Sequence, residues 1–87
     1  MHLKQKYIKT KNHQIIVFSE LMEHKDFADW EPVSAGFINI NTIHHSEGNY
    51  HGTDCICYGE SVSLHLKSDP EKDTKLAKKQ ILGHYEY

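Results

Sequence analysis

Asp54–Leu66 reads DCICYGESVSLHL and, taken as one strand, divides at period two into two chemically different faces. Ile56, Tyr58, Val62, Leu64 and Leu66 fall on one side, interrupted only by Glu60, and are assigned to the core. Cys55, Cys57, Gly59, Ser61, Ser63 and His65 fall on the other. This second face is small and polar, suited to close cover by a helix, a partner chain, a metal or a ligand.

Beyond that strand the sequence reads as a helix. Ser68 and Glu71 have capping-box spacing, and Pro70 suits the first turn. Asp69, Glu71 and Asp73 precede Lys75, Lys78 and Lys79 in the order the helix dipole favours, and Gly83 is the stop signal. Leu76, Ala77, Gln80 and Ile81 form the stripe that would pack on a sheet.

Upstream, Val33–Ile43 has strand character and most simply pairs with 54–66 as a hairpin across the polar loop His44–Thr53. Tyr7–Thr10 and Gln14–Phe18 make an earlier hairpin around Lys11, Asn12 and His13, with Asn12 expected at positive φ. The unbroken apolar run Ile15–Phe18 reads as an inner strand covered on both faces. Ser19–Trp30 is a helical or turn-rich connector, ended by Pro32. The expected fold is α+β: a four-stranded antiparallel sheet of two hairpins, a short helical insert and one C-terminal helix packed on the sheet. No linker or repeat divides the chain, so residues 1–87 read as a single domain. A domain of this size buries only about 60 to 65 % of the surface its unfolded chain exposes, so its stability margin is thin.

Composition narrows the function classes. Ten cations stand against twelve acids, a formal charge of -2, and every cation is lysine. There is no overall basic field to draw the protein onto nucleic acid, and no arginine fork for reading guanine. The N-terminal MHLKQKYIKTK has no apolar run resembling a signal-peptide core, and no segment approaches a membrane span, so the expected address is the cytoplasm. The two cysteines are then expected to be free thiols or ligands.

Four constellations carry chemistry. His44, His45, His51, Cys55 and Cys57 put imidazole and thiol donors close enough in sequence to suggest a tetrahedral zinc site, although Cys-x-Cys on a strand is not the usual zinc knuckle. The alternative is two buried thiols beside exposed loop histidines. Thiol catalysis would need a base beside the thiolate. On one extended strand Cys57 and His65 lie roughly 26 Å apart, so they cannot serve. The connector holds Glu20, Glu23, Asp26, Asp29 and Glu31 with Phe27 and Trp30, against Lys25 alone. Aromatics ringed by acids suit a surface that meets a basic partner, while core packing is the simpler role for the rings. Finally, Lys4, Lys6, Lys9 and Lys11 with Tyr7 have the make-up of a minimal single-stranded nucleic-acid platform. An edge strand guarded by lysine is the preferred reading of that ribbon.

The segments KYIKT, QIIVF, EPVSAGFINI and CYGESVSLHLKS together resemble small proteins of unknown chemistry carried by phages and other mobile elements of AT-rich bacteria. The resemblance contains no catalytic motif and implies an accessory role, such as inhibition of host defence. Anti-CRISPR proteins, which bind an effector nuclease or its guide RNA, are the type it implies. The expectation is therefore a non-enzymatic, cofactor-free protein that binds a larger partner stoichiometrically. The alternatives are a zinc-binding protein using the His/Cys group, and a ligand sponge or small enzyme with its pocket at a homodimer interface.

Overall fold

A computed structural model describes residues 2–44 and 51–81, with side chains described for 4–41 and 54–81. Strand β1 (His2–Thr10) pairs with β2 (Ile15–Phe18) and β3 (Pro32–His44), and β3 pairs with β4 (His51–Tyr58), all antiparallel. The four-stranded order is β2-β1-β3-β4. A 3-10 helix (His24–Trp30) joins β2 to β3. A small hairpin of β5 (Glu60–Ser61) and β6 (Leu66–Lys67) follows β4, and helix α1 (Pro70–Ile81) closes the described chain. The α+β fold with its two hairpins, helical insert and packed C-terminal helix is thus the expected one.

Of the helix stripe, Ala77 and Leu76 join the core but Ile81 is 38 % exposed, and the details differ from the sequence reading at four further places. The first is the strand at 54–66, which ends at Tyr58. Gly59 takes φ +77°, a conformation open to glycine at no steric cost, and His65 takes φ +55° in the turn between β5 and β6. Within β4 the two faces carry the opposite assignment, since Cys55 and Cys57 are buried while Ile56 is 50 % exposed; beyond it Val62 is 78 % exposed, whereas Leu64 and Leu66 pack on the core as expected. Helix α1 lies over the thiol face because small side chains there let Ala77, itself fully buried, approach closely.

The second difference is strand order. The lysine-bearing β1 is an inner strand, whereas β2, expected inside, is at an edge. Both faces of β2 are nevertheless covered: Ile15 and Val17 pack with the α1-facing core of Tyr7, Ile38, Cys55, Cys57 and Ala77, while Ile16 and Phe18 join Ile8, Ala35, Phe27, Leu64 and Leu66 on the other side. Each fully buried Ile contributes about 1.5 to 3 kcal/mol. The exposed edge is occupied by the helix, for Gln80 accepts the Ile15 N–H at 2.8 Å and donates to the His13 carbonyl. At the opposite edge Thr74 accepts the Cys57 N–H at 2.8 Å. One helix therefore spans the sheet and ties down both outer strands, which limits edge-to-edge pairing.

Third, the positive φ of the first hairpin falls on His13 (62°), not on Asn12. Fourth, Asp69 rather than Ser68 caps α1, its Oδ1 accepting the Lys72 N–H at 3.3 Å. Ser68 instead donates to the Gly59 carbonyl at 2.7 Å, fixing the return of the β5–β6 hairpin. The stop signal at Gly83 lies outside the described residues.

Candidate functional site

On the sheet face away from α1, the register aligns Phe18, Lys6, Phe37 and Tyr58 in one row across all four strands. The 3-10 helix covers the Phe18 end, where Phe27 stacks at 4.0 Å between centroids and the buried His24 ring meets Phe18 edge-on at 5.5 Å. The other end is open. There Phe37 and Tyr58 stack at 5.9 Å and 30°, and their rings floor a cleft of about 530 Å³ between the connector and the β5–β6 hairpin.

The cleft has charged walls. Lys4 and Lys6 line it, with the Lys4 ammonium 4.8 Å from the Phe37 centroid, and Glu23 and Glu60 line it as well. His24 Nε2 donates to the Gly36 carbonyl at 2.8 Å, which fixes the tautomer because a carbonyl can only accept. Burial, and secondarily the nearby Lys6 charge, hold this imidazole below its ordinary pKa against the opposing effect of the Gly36 bond. It serves as a neutral structural ring at the back of the cleft.

The connector's expected partner-binding residues separate into two groups. Glu23 and Asp26 close the start of the 3-10 helix in a capping box, with the Glu23 N–H donating to Asp26 at 3.1 Å, and Phe27 belongs to the core. Glu31 takes a left-handed φ of 53° and pairs with Lys11. Glu20 and Asp29 are exposed, and so are Leu21 (92 %), Met22 and Trp30. Sequence reading did not single out Leu21 or Met22 as surface groups, because apolar residues beside a helix read as core.

The basic ribbon is divided by the pleat. Lys4 and Lys6 face the cleft, but Tyr7 is fully buried on the α1 side and Lys9 pairs there with Asp73 at 2.8 Å. Tyr7 therefore does not serve as an exposed stacking platform. Asp73, read from sequence only as a dipole-matching acid, is the centre of a buried network. Its Oδ2 accepts from Tyr7 Oη at 2.5 Å, Ser34 Oγ at 2.8 Å and the Asp69 N–H at 3.0 Å. Burial pushes its carboxyl upward, yet Lys9 and these hydrogen bonds outweigh it and hold the pKa below the ordinary value. Tyr7 is raised by burial and by Asp73.

Members of the His/Cys group are spread along the hairpin. His44 and His51 are opposite one another in the β3–β4 register, while Cys57 lies six residues along β4, about 20 Å at strand rise, beyond the reach of two ligands of one ion. His45 lies outside the described residues. Both thiols are free and buried. Burial raises Cys55, and burial with its neighbour Cys55 pushes Cys57 up to about 12, away from the nucleophilic thiolate. His65 is exposed in the β5–β6 turn.

Compared with known proteins, the chain matches no family model, no curated protein and no solved structure. Among the described residues, no helix is long and apolar enough to cross a membrane.

Proposed function

We propose that this protein is a non-enzymatic interaction protein whose contact surface is the connector between β2 and β3. The observation that carries the reading is Trp30, 52 % exposed, on the same short segment as the exposed Leu21 and Met22 and the acids Glu20 and Asp29. Exposed large apolar groups are costly to leave in water and serve as anchors in interfaces, where Trp is the most enriched residue. Flanking carboxylates select a basic partner and speed its association. The nucleophilic groups support the same reading, since both thiols and Tyr7 are held in their neutral, buried forms.

The resemblance to phage and mobile-element proteins gives the partner a chemical identity: a defence nuclease, basic where it holds its guide RNA, met in the bacterial cytoplasm and inhibited by stoichiometric binding. Trp30→Ala and the pair Glu20→Lys with Asp29→Lys test this, leaving Glu23 and Asp26 to hold the 3-10 helix. Purified CRISPR effector ribonucleoproteins are titrated with each variant by calorimetry at low and high salt. Saturation near one copy per effector is expected for the wild type. Trp30→Ala should lose about 2 kcal/mol or more of binding, and the charge pair should bind more weakly chiefly at low salt. Equal binding by all variants overturns the assignment of the surface, and no binding by the wild type overturns the partner.

A further inference from the structure

The cleft floored by Phe37 and Tyr58 borders the connector, which supplies Glu23 and His24 to its wall, but has a composition of its own. Its volume of about 530 Å³ falls within the range of about 300 to 1,000 Å³ typical of small-molecule sites. The two floor rings are stacked side by side, and Gly59 turns the chain back directly beside them, with a Cβ at that position meeting Phe37 at 3.0 Å. The Lys4 ammonium stands over the Phe37 ring, 4.8 Å from its centroid, and Lys6 follows on the same face of β1. Glu60 and Ser63 stand on the hairpin side, and Glu23 on the connector side.

Each feature restricts the occupant. An aromatic floor favours a planar ring, which it stacks regardless of ring identity. Two ammonium groups beside it favour an anion attached to that ring. The Glu23 and Glu60 carboxylates accept from amino or hydroxyl groups, and they oppose an occupant that is anionic throughout, such as bare phosphate or a long polynucleotide strand. An apolar ligand would answer none of the polar groups on the walls, among them Lys6, whose ammonium also donates to the Met22 carbonyl at 2.7 Å, and Glu23, whose carboxylate also closes the 3-10 helix.

We propose that this cleft binds a mononucleotide, the Lys4 ammonium leaving the Phe37 ring for the phosphate beside Lys6, the base stacking on Phe37 and Tyr58, and base amino or ribose hydroxyl groups reaching Glu23 and Glu60. This is a small-molecule site adjoining the protein-contact surface proposed above, and its test uses neither Trp30 nor the Glu20 and Asp29 pair.

The four ribonucleoside 5′-monophosphates are titrated into the full chain at low salt, followed by NMR and calorimetry, beside adenosine, inorganic phosphate and a ten-nucleotide oligomer. At least one monophosphate should bind saturably at one per chain. Adenosine and phosphate should each bind about tenfold or more weakly. Lys4→Gln with Lys6→Gln should weaken monophosphate binding by about tenfold at unchanged far-UV circular dichroism, and added salt should weaken the wild type in the same direction. Because Tyr58→Leu alters a partly buried ring, its binding is read only beside its melting temperature, and the lysine pair decides. No saturable binding of any monophosphate at about 1 mM, adenosine binding as tightly as the monophosphate, an unaffected lysine pair, or binding of the oligomer alone would each overturn the proposal.

Discussion

Tyr7 Oη donates to Asp73 Oδ2 at 2.5 Å across 66 residues of chain, and both residues are fully buried. The bond fastens the first strand to the last helix, and Lys9 and Ser34 converge on the same carboxylate from β1 and β3. A charge-assisted bond of this length is among the stronger ones available to a protein, and its low-dielectric surroundings raise the cost of breaking it.

Asp73→Ala should therefore cost about 3 to 5 kcal/mol, because it leaves the Lys9 ammonium largely buried without its partner. Tyr7→Phe keeps the ring and the other donors to Asp73, and should cost about 1 to 2 kcal/mol. Urea denaturation of both variants checks the order. Equal midpoints would mean that Asp73 is not the anchor of the helix.

Stability should pass through a plateau between pH 6.5 and 9.0, with separate causes on each side. On the acid side, His24 is held below its ordinary 6.5, so the unfolded chain takes up a proton before the native one does. That contribution is complete above 6.5 and lost as pH falls toward the native value. Asp73, held below 3.8, adds a second loss at still lower pH. On the alkaline side, Cys57 and Tyr7 are raised, so their contributions decline as pH climbs past 9.0 and 10.0, where the unfolded groups ionise. Melting temperature against pH should show both limbs, and His24→Gln should flatten the first part of the acid limb alone.

Gly36→Ala should be the more damaging of two glycine substitutions. Its Cβ would lie 2.3 Å from the Tyr58 carbonyl oxygen, a backbone atom that cannot move without shifting β4. A cost of about 2 to 3 kcal/mol is expected. Gly59→Ala places a Cβ in the left-handed region, costing about 1 to 2 kcal/mol. Thermal unfolding of the two variants gives the comparison.

Thiol titration reads the cover of the sheet directly. Native protein should react negligibly with Ellman's reagent at pH 8, whereas both Cys55 and Cys57 should react at once in guanidinium. Fast reaction of either thiol in the native protein would show that α1 opens away from β4.

The cleft was only half legible in the sequence. Lys4 and Lys6 could be grouped as a basic ribbon, but the same ribbon included Tyr7 and Lys9, which the pleat turns to the opposite face. Phe37 and Tyr58 gave no signal as a pair, since they meet only through the β3–β4 register. The exposed Trp30 and its neighbouring acids were legible as a cluster, because they are adjacent in the chain and need no long-range pairing to come together.

Local chemistry by itself determined the helix at Pro70–Ile81, the two hairpins and the α+β class, since charge order, proline position and period-two alternation act within a few residues. Alternation fixes that Cys55 and Cys57 share a face opposite Ile56, but it carries no information about what covers either face. Only the tertiary structure decided that α1 lies on the thiols, that lysine-rich β1 runs through the middle of the sheet, and that Asp73 is buried at the junction. Those outcomes depend on which surfaces fit across long stretches of chain. Here the small face won the helix because Ala77 could approach it, and the lysines of β1 were accommodated by pairing Lys9 inward and turning Lys4 and Lys6 toward the cleft.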